Sequence, residues 1–215
     1  MMAPSLAILT KGVIVIAIDT PCLGEGNTKV GLVPTFSLPA RYTCPGATNW
    51  CLKHCYAWRL EVLRPAIRRA YARNLMLSWD AERFVYVMRR TLPAAVPLVR
   101  IHVGGDFFHR TYVEAWIRLC KAMRRTKFWA YTRSWSVQSL RPFLEELREL
   151  PNVHLFASVD PDMTLPPAEW RLAWVKTDSR AQGLHCRHQE GIASSCLDCG
   201  YCFSNKQGDV IFKVH

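Results

Sequence analysis

The sequence predicts an α/β fold: a partial (βα)6-type barrel of mostly parallel strands, ending in a cysteine-rich segment. Three observations carry this expectation. Short β-branched and aromatic runs alternate with stretches of helical periodicity, the pattern of strands joined by right-handed crossovers. Polar groups follow the ends of the predicted strands, where αβ folds build their sites. Cysteines gather in two places, around the start of the first helix and near the C-terminus.

In order along the chain, GVIVIAI (12–18) and VGLVPTFSL (30–38, interrupted by Pro34) read as extended. A helical stretch then runs from about Asn49 to Leu92. Pro65 and the Ser78-Trp79-Asp80 step divide it, because proline breaks the ladder of helical hydrogen bonds and Ser or Asp caps a new start. LVRIHV (98–103) is the next strand, followed by a helix near 111–125, the strand KFWAYT (127–132), a helix near 137–150 and the strand VHLFAS (153–158). LAWVKT (172–177) and DVIFKV (209–214) complete the strands. The polar rim then comprises Gly104-Gly105-Asp106, Arg133-Ser134, Ser158 with Asp160, and Asp178. An open doubly wound sheet would carry the same rim, so the pattern locates a site without naming its reaction.

At 215 residues, half of them apolar, the chain can bury roughly 70% of its unfolded surface and needs no disulfides to fold. It reads as one domain over 1–215, with an N-terminal extended segment (1–40) and a cysteine-rich segment with the last strand (180–215). The apolar run Val13–Ile18 is too short to span a bilayer and lacks a cleavage pattern. A cytosolic protein is expected. The nine cysteines then point to metal and not to a disulfide framework.

Cys44, Cys51 and Cys55 form the first group. Cys51 and Cys55 stand four apart and would share a helix face. Cys44 would reach them from the preceding loop, where Pro45-Gly46 turns the chain. A structural zinc site wants four protein ligands, and His54, next to Cys55, should point elsewhere on a helix. Three thiolates suit a [4Fe-4S] cluster with one open iron; zinc and unligated core cysteines are the alternatives. The second group is Cys186, Cys196, Cys199 and Cys202, the last three in a C-x-x-C-x-x-C run. One short loop with that spacing can cap three corners of a cluster, and Cys186 can supply the fourth; a four-thiolate zinc site is again the alternative. Cys120 sits at core spacing in YVEAWIRLCKAM and reads as a packed hydrophobe. Cys22 is an isolated loop cysteine or a further ligand for the first group.

A three-cysteine loop, a long helix and a strand running into Gly104-Gly105-Asp106 resemble the radical S-adenosylmethionine (SAM) superfamily. There the usual cysteine spacing is C-x3-C-x2-C, against six and three intervening residues here, and a GGE motif binds the SAM amino group. The resemblance implies that Asp106 stands in for that Glu, and that a 5′-deoxyadenosyl radical abstracts hydrogen from a substrate after an electron donor reduces the cluster. Gly104, Gly105, Asp106, Arg133, Ser134, Ser158 and Asp160 would contact SAM, with Asp106 and Arg133 as the catalytic pair. The phrases TFSLPARYTCPGATNWCLKHCYA, RIHVGGDFF, FWAYTRSW and SCLDCGYC also resemble the mycobacteriophage gene-product-eighty-eight family, which supplies no reaction but supports treating these motifs as one site.

The formal charge of +11 is mostly arginine, the residue suited to phosphate forks. Arg64, Arg68, Arg69 and Arg73 recur at one-turn spacing and define a face for nucleic acid, with Trp58, Tyr71, Trp79 and Tyr86 interleaved as stacking candidates. A solvated helix face and core-facing aromatics are the plainer readings. A non-catalytic iron–sulfur or zinc protein that binds nucleic acid is therefore the second functional expectation. A cysteine-nucleophile enzyme is the weakest, since no separate His and acid partner stands out.

Overall fold

The computed structural model describes residues 20–204 and 208–214, so the strand expected at 12–18 lies outside the described residues. The order is β1 (Thr35–Phe36), α1 (Asn49–Lys53), α2 (Tyr56–Leu63), α3 (Pro65–Ser78), α4 (Ala81–Thr91), β2 (Leu98–Ile101), α5 (Arg110–Ala122) and β3 (Lys127–Thr132). It continues through α6 (Arg141–Arg148), β4 (Val153–Ser158), β5 (Arg171–Val175), β6 (Leu184–His185), α7 (Cys196–Cys199) and β7 (Val210–Phe212).

The strands form one seven-stranded sheet in the order β1-β2-β3-β4-β5-β7-β6, and every pairing is parallel. The α/β expectation holds. The barrel does not close: β1 and β6, its two edges among the described residues, are two residues long and do not pair with each other. Pro34 and Pro39 limit β1, because each lacks the N–H that a ladder needs. The pairing still reaches past it, with Leu38 N donating to the Gly104 carbonyl at 2.9 Å. The sequence reading missed β6, whose Leu-His pair is too short to show a period.

The long helical stretch breaks where expected, at Pro65, which opens α3, and at Asp80, whose carboxylate caps α4 by accepting from Arg83 N at 3.0 Å. It also breaks once more. His54 ends α1, and Cys55, in an extended conformation, caps α2 with its sulfur toward Trp58 N at 3.4 Å. This corrects the expectation that Cys51 and Cys55 lie on one helix face; a helix and a junction present them.

One face of the sheet packs on α4, α5 and α6. Phe36, Phe84, Trp116 and Phe128 are fully buried there, in edge-to-face contacts from Phe36 to Phe84 (5.3 Å), Phe84 to Trp116 (5.1 Å) and Trp116 to Phe128 (6.2 Å). Cys120 is fully buried in the same core, as its spacing predicted. Asn152 ties the layer at its lower end, donating to the carbonyls of Cys120, Met123 and Thr126. The opposite face carries Arg100, Trp129, Tyr131, Phe156, Ala173 and Val210. It is covered by residues around Val30–Val33 and by the cysteine-rich C-terminal segment. Among the described residues no helix is long and apolar enough to cross a membrane.

Phe84 is the hub of the helical layer, so Phe84→Ala should cost about 3–5 kcal/mol, seen as a lower denaturant midpoint with the sheet topology retained.

Candidate functional site

A cavity of about 480 Å3 lies on the strand face away from α4–α6, and Cys44, Cys51, Cys55, Cys186, Cys196, Cys199 and Cys202 all line it. None of these cysteines is in a disulfide. Cys22 and Cys120 are absent from the lining. The backbone of Cys22 is instead pinned to α3, its N–H donating to Asn74 Oδ1 at 2.8 Å and its carbonyl accepting from Asn74 Nδ2 at 3.0 Å.

The first cysteine group is held from three sides. Buried Glu61 accepts from Ala40 N at 2.7 Å, and the Thr43 carbonyl accepts from Asp106 N at 3.1 Å. Thr48 caps α1 by accepting from Cys51 N at 3.0 Å, and its own hydroxyl donates to Asp160 Oδ2 at 2.7 Å. Gly46 has no room for a side chain, since a Cβ there would come within 2.2 Å of the Arg133 carbonyl. The loop is thus pressed against the end of β3. Burial pushes the Cys44 thiol well above its ordinary range, with further upward pressure from Asp106, Cys51 and Cys55. Burial also raises Cys51, opposed by the Arg133 charge. His54 lines the cavity too, its ring tilted over Trp50 at 4.5 Å.

Gly104-Gly105-Asp106 borders the cavity, but protein already fills its immediate surroundings. A Cβ on Gly104 would meet Tyr71 at 2.9 Å; one on Gly105, whose φ is +76°, would meet Thr43 Oγ1 at 2.5 Å. The two glycines therefore admit the chain's own loop and α3. The Asp106 carboxylate accepts from Phe107 N (2.7 Å) and Thr132 Oγ1 (2.6 Å) on one oxygen, and from Arg133 N (2.7 Å) and Ser134 N (3.2 Å) on the other. Burial raises its pKa while these four donors pull it down. In this geometry Asp106 clamps the end of β3 to the end of β2.

The remaining rim residues sort by partner. Arg133 is ion-paired through Nη1 with fully buried Asp160, whose other oxygen accepts from Asp162 N at 2.9 Å. Ser134 is buried with its hydroxyl unpartnered. Ser158 lines the cavity, and its carbonyl accepts from Trp135 Nε1 at 3.0 Å. Asp178 forms a two-pronged pair with Arg180 at 2.9 and 2.7 Å. Arg180 also donates to the Asp160 carbonyl at 2.8 Å, so Asp178 supports the rim from behind.

The second cysteine group rests on local turns. Ser195 caps α7, accepting from Asp198 N at 3.2 Å, and Gly200 ends it at φ +66°, in the left-handed region. This one-turn helix presents Cys196 and Cys199; the following turn presents Cys202, and Cys186 N donates to the Ile211 carbonyl at 2.8 Å beside β7. Burial pushes the Cys202 thiol up to about 11, opposed by a hydrogen bond from the Tyr131 hydroxyl. Cys196 is raised by burial and lowered by Lys29 and Arg100. The sequence reading passed over Lys29, Arg100 and Tyr131. In strand alternation they look like ordinary surface or core positions, and only the fold of the C-terminal segment over this face brings them to the cysteines.

Among the described residues no three His, Cys, Asp or Glu side chains are gathered closely enough to hold a single metal ion. A lone zinc draws its thiolates in to about 2.3 Å, whereas a cluster spreads them over several metal atoms. The donors are chemically suited to a cluster. They are all sulfur, outside any disulfide and partly buried, and thiols ionise when a metal supplies the compensating charge. The predicted arginine face is exposed at Arg59, Arg64, Arg68, Arg69 and Arg73. Of the interleaved aromatics, Trp58, Trp79 and Tyr86 are exposed, while Tyr71 packs toward Gly104.

Asp106→Asn must turn an amide NH2 toward protein donors. It should destabilise the fold by about 2–3 kcal/mol, read as a urea midpoint, with the far-ultraviolet spectrum unchanged.

The sequence model of the family described as Gene product 88 matches residues 17–198. The "Gene 88 protein" of Mycobacterium phage D29 is 37% identical over 221 residues, covering 88% of this chain and 90% of the relative. The "Gene 88 protein" of Mycobacterium phage L5 is 38% identical over 153 residues, covering 64% and 61% respectively. No solved structure matches significantly. With a family match across most of its length and a relative of this identity over nearly all of it, the chain belongs to the Gene product 88 family.

Proposed function

We propose that this protein is an iron–sulfur enzyme of the radical SAM-like type, with two cysteine-held [4Fe-4S] centres on one cavity. The observation that carries the reading is that seven cysteines outside any disulfide line that cavity, whose border includes the strand-end residues Gly104, Gly105, Asp106 and Arg133. The sequential order of β1 to β5 is the strand order a partial barrel would need. Cys44, Cys51 and Cys55 would hold the first centre, and Cys186, Cys196, Cys199 and Cys202 the second. When bound, a three-thiolate centre offers one open metal position and an electron.

The chain's own residues do the positioning. Thr48, Asp160 and Arg133 fix the start of α1, and so Cys51, against the end of β3. Trp50, Trp129 and Tyr131 wall the cavity with aromatic surface and exclude water from reactive species. With Asp106 engaged by four protein donors, Ser158, which lines the cavity, would be left to meet a polar group of SAM.

A second reading has its own observation. Arg59, Arg64, Arg68, Arg69 and Arg73 are exposed on α2 and α3 and their flanks, which favours a polyanionic partner, with nucleic acid as the class. It applies equally to a non-catalytic iron–sulfur or zinc protein.

Anaerobic purification should yield iron and acid-labile sulfide. Replacing Cys44, Cys51 and Cys55 together by serine should remove about half of that iron, the share of one of two equal clusters. SAM should perturb the spectrum of the intact protein and leave that of the triple variant unchanged. Zinc in place of iron, or a spectrum blind to SAM, overturns the enzyme reading. Charge reversal at Arg64, Arg68 and Arg73 should weaken binding to duplex DNA and flatten its salt dependence by about 0.9 in logarithmic slope per lost phosphate contact; binding that is absent or indifferent to salt returns these arginines to solvated surface.

A further inference from the structure

We propose that Lys29, Arg100 and Tyr131 form an electropositive seat for the C-terminal cysteine group, two cations and one hydroxyl donor placed to balance a centre with four thiolates. The inference rests on the reading that these cysteines hold a metal centre, and it assigns a task to residues outside the cysteine motifs.

The seat is assembled from three parts of the chain. Lys29 lies in the segment that covers the strand face, and its carbonyl accepts from Cys196 N at 2.7 Å. The contact is close along the segment: a Cβ on Gly31 would come within 2.7 Å of Leu197 Cδ1. The Lys29 ammonium sits over the Phe212 ring of β7 at 5.0 Å. Arg100 projects from β2 onto the same face. Its guanidinium lies over Trp129 at 4.7 Å and over Tyr131 at 4.3 Å, and its Nε donates to the His102 carbonyl at 3.1 Å. Tyr131 packs with Cys202 against both apolar clusters of this face, and its ring is fixed by Phe156 at 5.2 Å and Phe212 at 5.3 Å.

Charge balance gives the arrangement its meaning. Among the described residues neither Lys29 nor Arg100 is ion-paired with a carboxylate. Two cations turned into a partly enclosed cavity without an acid partner are costly unless an anion sits beside them. Lys29, Arg100 and Tyr131 line the same cavity as Cys186, Cys196, Cys199 and Cys202. Four thiolates around a [4Fe-4S] cluster in its usual oxidised state leave a net charge of about −2. Two cations match that charge, and a hydroxyl hydrogen bond to a ligand sulfur further stabilises electron-rich sulfur.

The test uses the full-length protein purified anaerobically, with Cys44, Cys51 and Cys55 replaced by serine so that only the C-terminal centre is read. A colorimetric chelator for iron and zinc measures the rate of metal release. Lys29→Met should release metal about tenfold faster, the effect of losing a nearby compensating charge. Tyr131→Phe, which keeps the ring, should accelerate it several-fold. Lys29→Arg should restore the parent rate, and Lys121→Met, a distant lysine paired with Glu146, should leave it unchanged. Where the metal is iron, a tenfold fall in the reduced-to-oxidised ratio at fixed potential in Lys29→Met corresponds to a midpoint lowered by about 59 mV.

Metal that is lost in Cys199→Ala but released at the parent rate in both Lys29→Met and Tyr131→Phe overturns the seat and leaves the metal centre standing. Metal content unaffected by Cys199→Ala overturns the centre, and the seat with it.

Discussion

Two buried carboxylates, Asp106 and Asp160, hold the rim of this molecule together. Asp106 ties the end of β2 to the end of β3 through three donors, from Thr132, Arg133 and Ser134, and also accepts from the adjacent Phe107 N. Asp160, at the end of β4, joins Arg133 at the end of β3 to Thr48 at the start of α1. A buried carboxylate is costly until its lone pairs are met, and here each is met by groups from a different element. The cysteine loop can therefore sit against the strand ends in one arrangement, with Gly46 providing the clearance. The position of Cys44 and Cys51, and so the first end of the cavity, depends on these two acids.

The second end is organised differently. The C-terminal cysteines come from short turns with little core of their own. They gain their place by lying on the aromatic strand face, where Trp129 meets Phe203 at 5.2 Å and Arg171 lies over Phe156 at 4.1 Å. The helical face of the sheet carries most of the apolar core. The cavity face instead carries cations, aromatics and sulfur. This division, with the main apolar core on one side of the sheet and a cavity on the other, is what an open parallel sheet permits and a closed, side-chain-filled barrel does not.

Much of this was legible in the sequence. KFWAYT and VHLFAS occupy β3 and β4 at the boundaries expected, because each is a short apolar run between clear turn signals. Pro65 and Asp80 divide the helices as their chemistry requires. The strand-end rim was also predictable, though not the partners within it: Asp106 reads as a free acid beside two glycines, and only the fold shows that Thr132 and the next two backbone N–H groups converge on it. The break at His54–Cys55 was hidden because Cys, His and Tyr carry no strong stop signal. The sheet stays open at its edges, where β1 is confined by prolines and β6 is a two-residue strand. Lys29 and Arg100 were invisible because their significance comes from cysteines far away in sequence, brought over them by the last segment of the chain.

The central claim is that the seven cavity cysteines hold two iron–sulfur centres. X-ray absorption at the metal edge of the anaerobically purified protein tests it most directly. The account predicts an iron edge with a first shell dominated by sulfur and a short iron–iron scattering path. Isolated ions with nitrogen or oxygen neighbours, a zinc edge in place of iron, or no bound metal would contradict it.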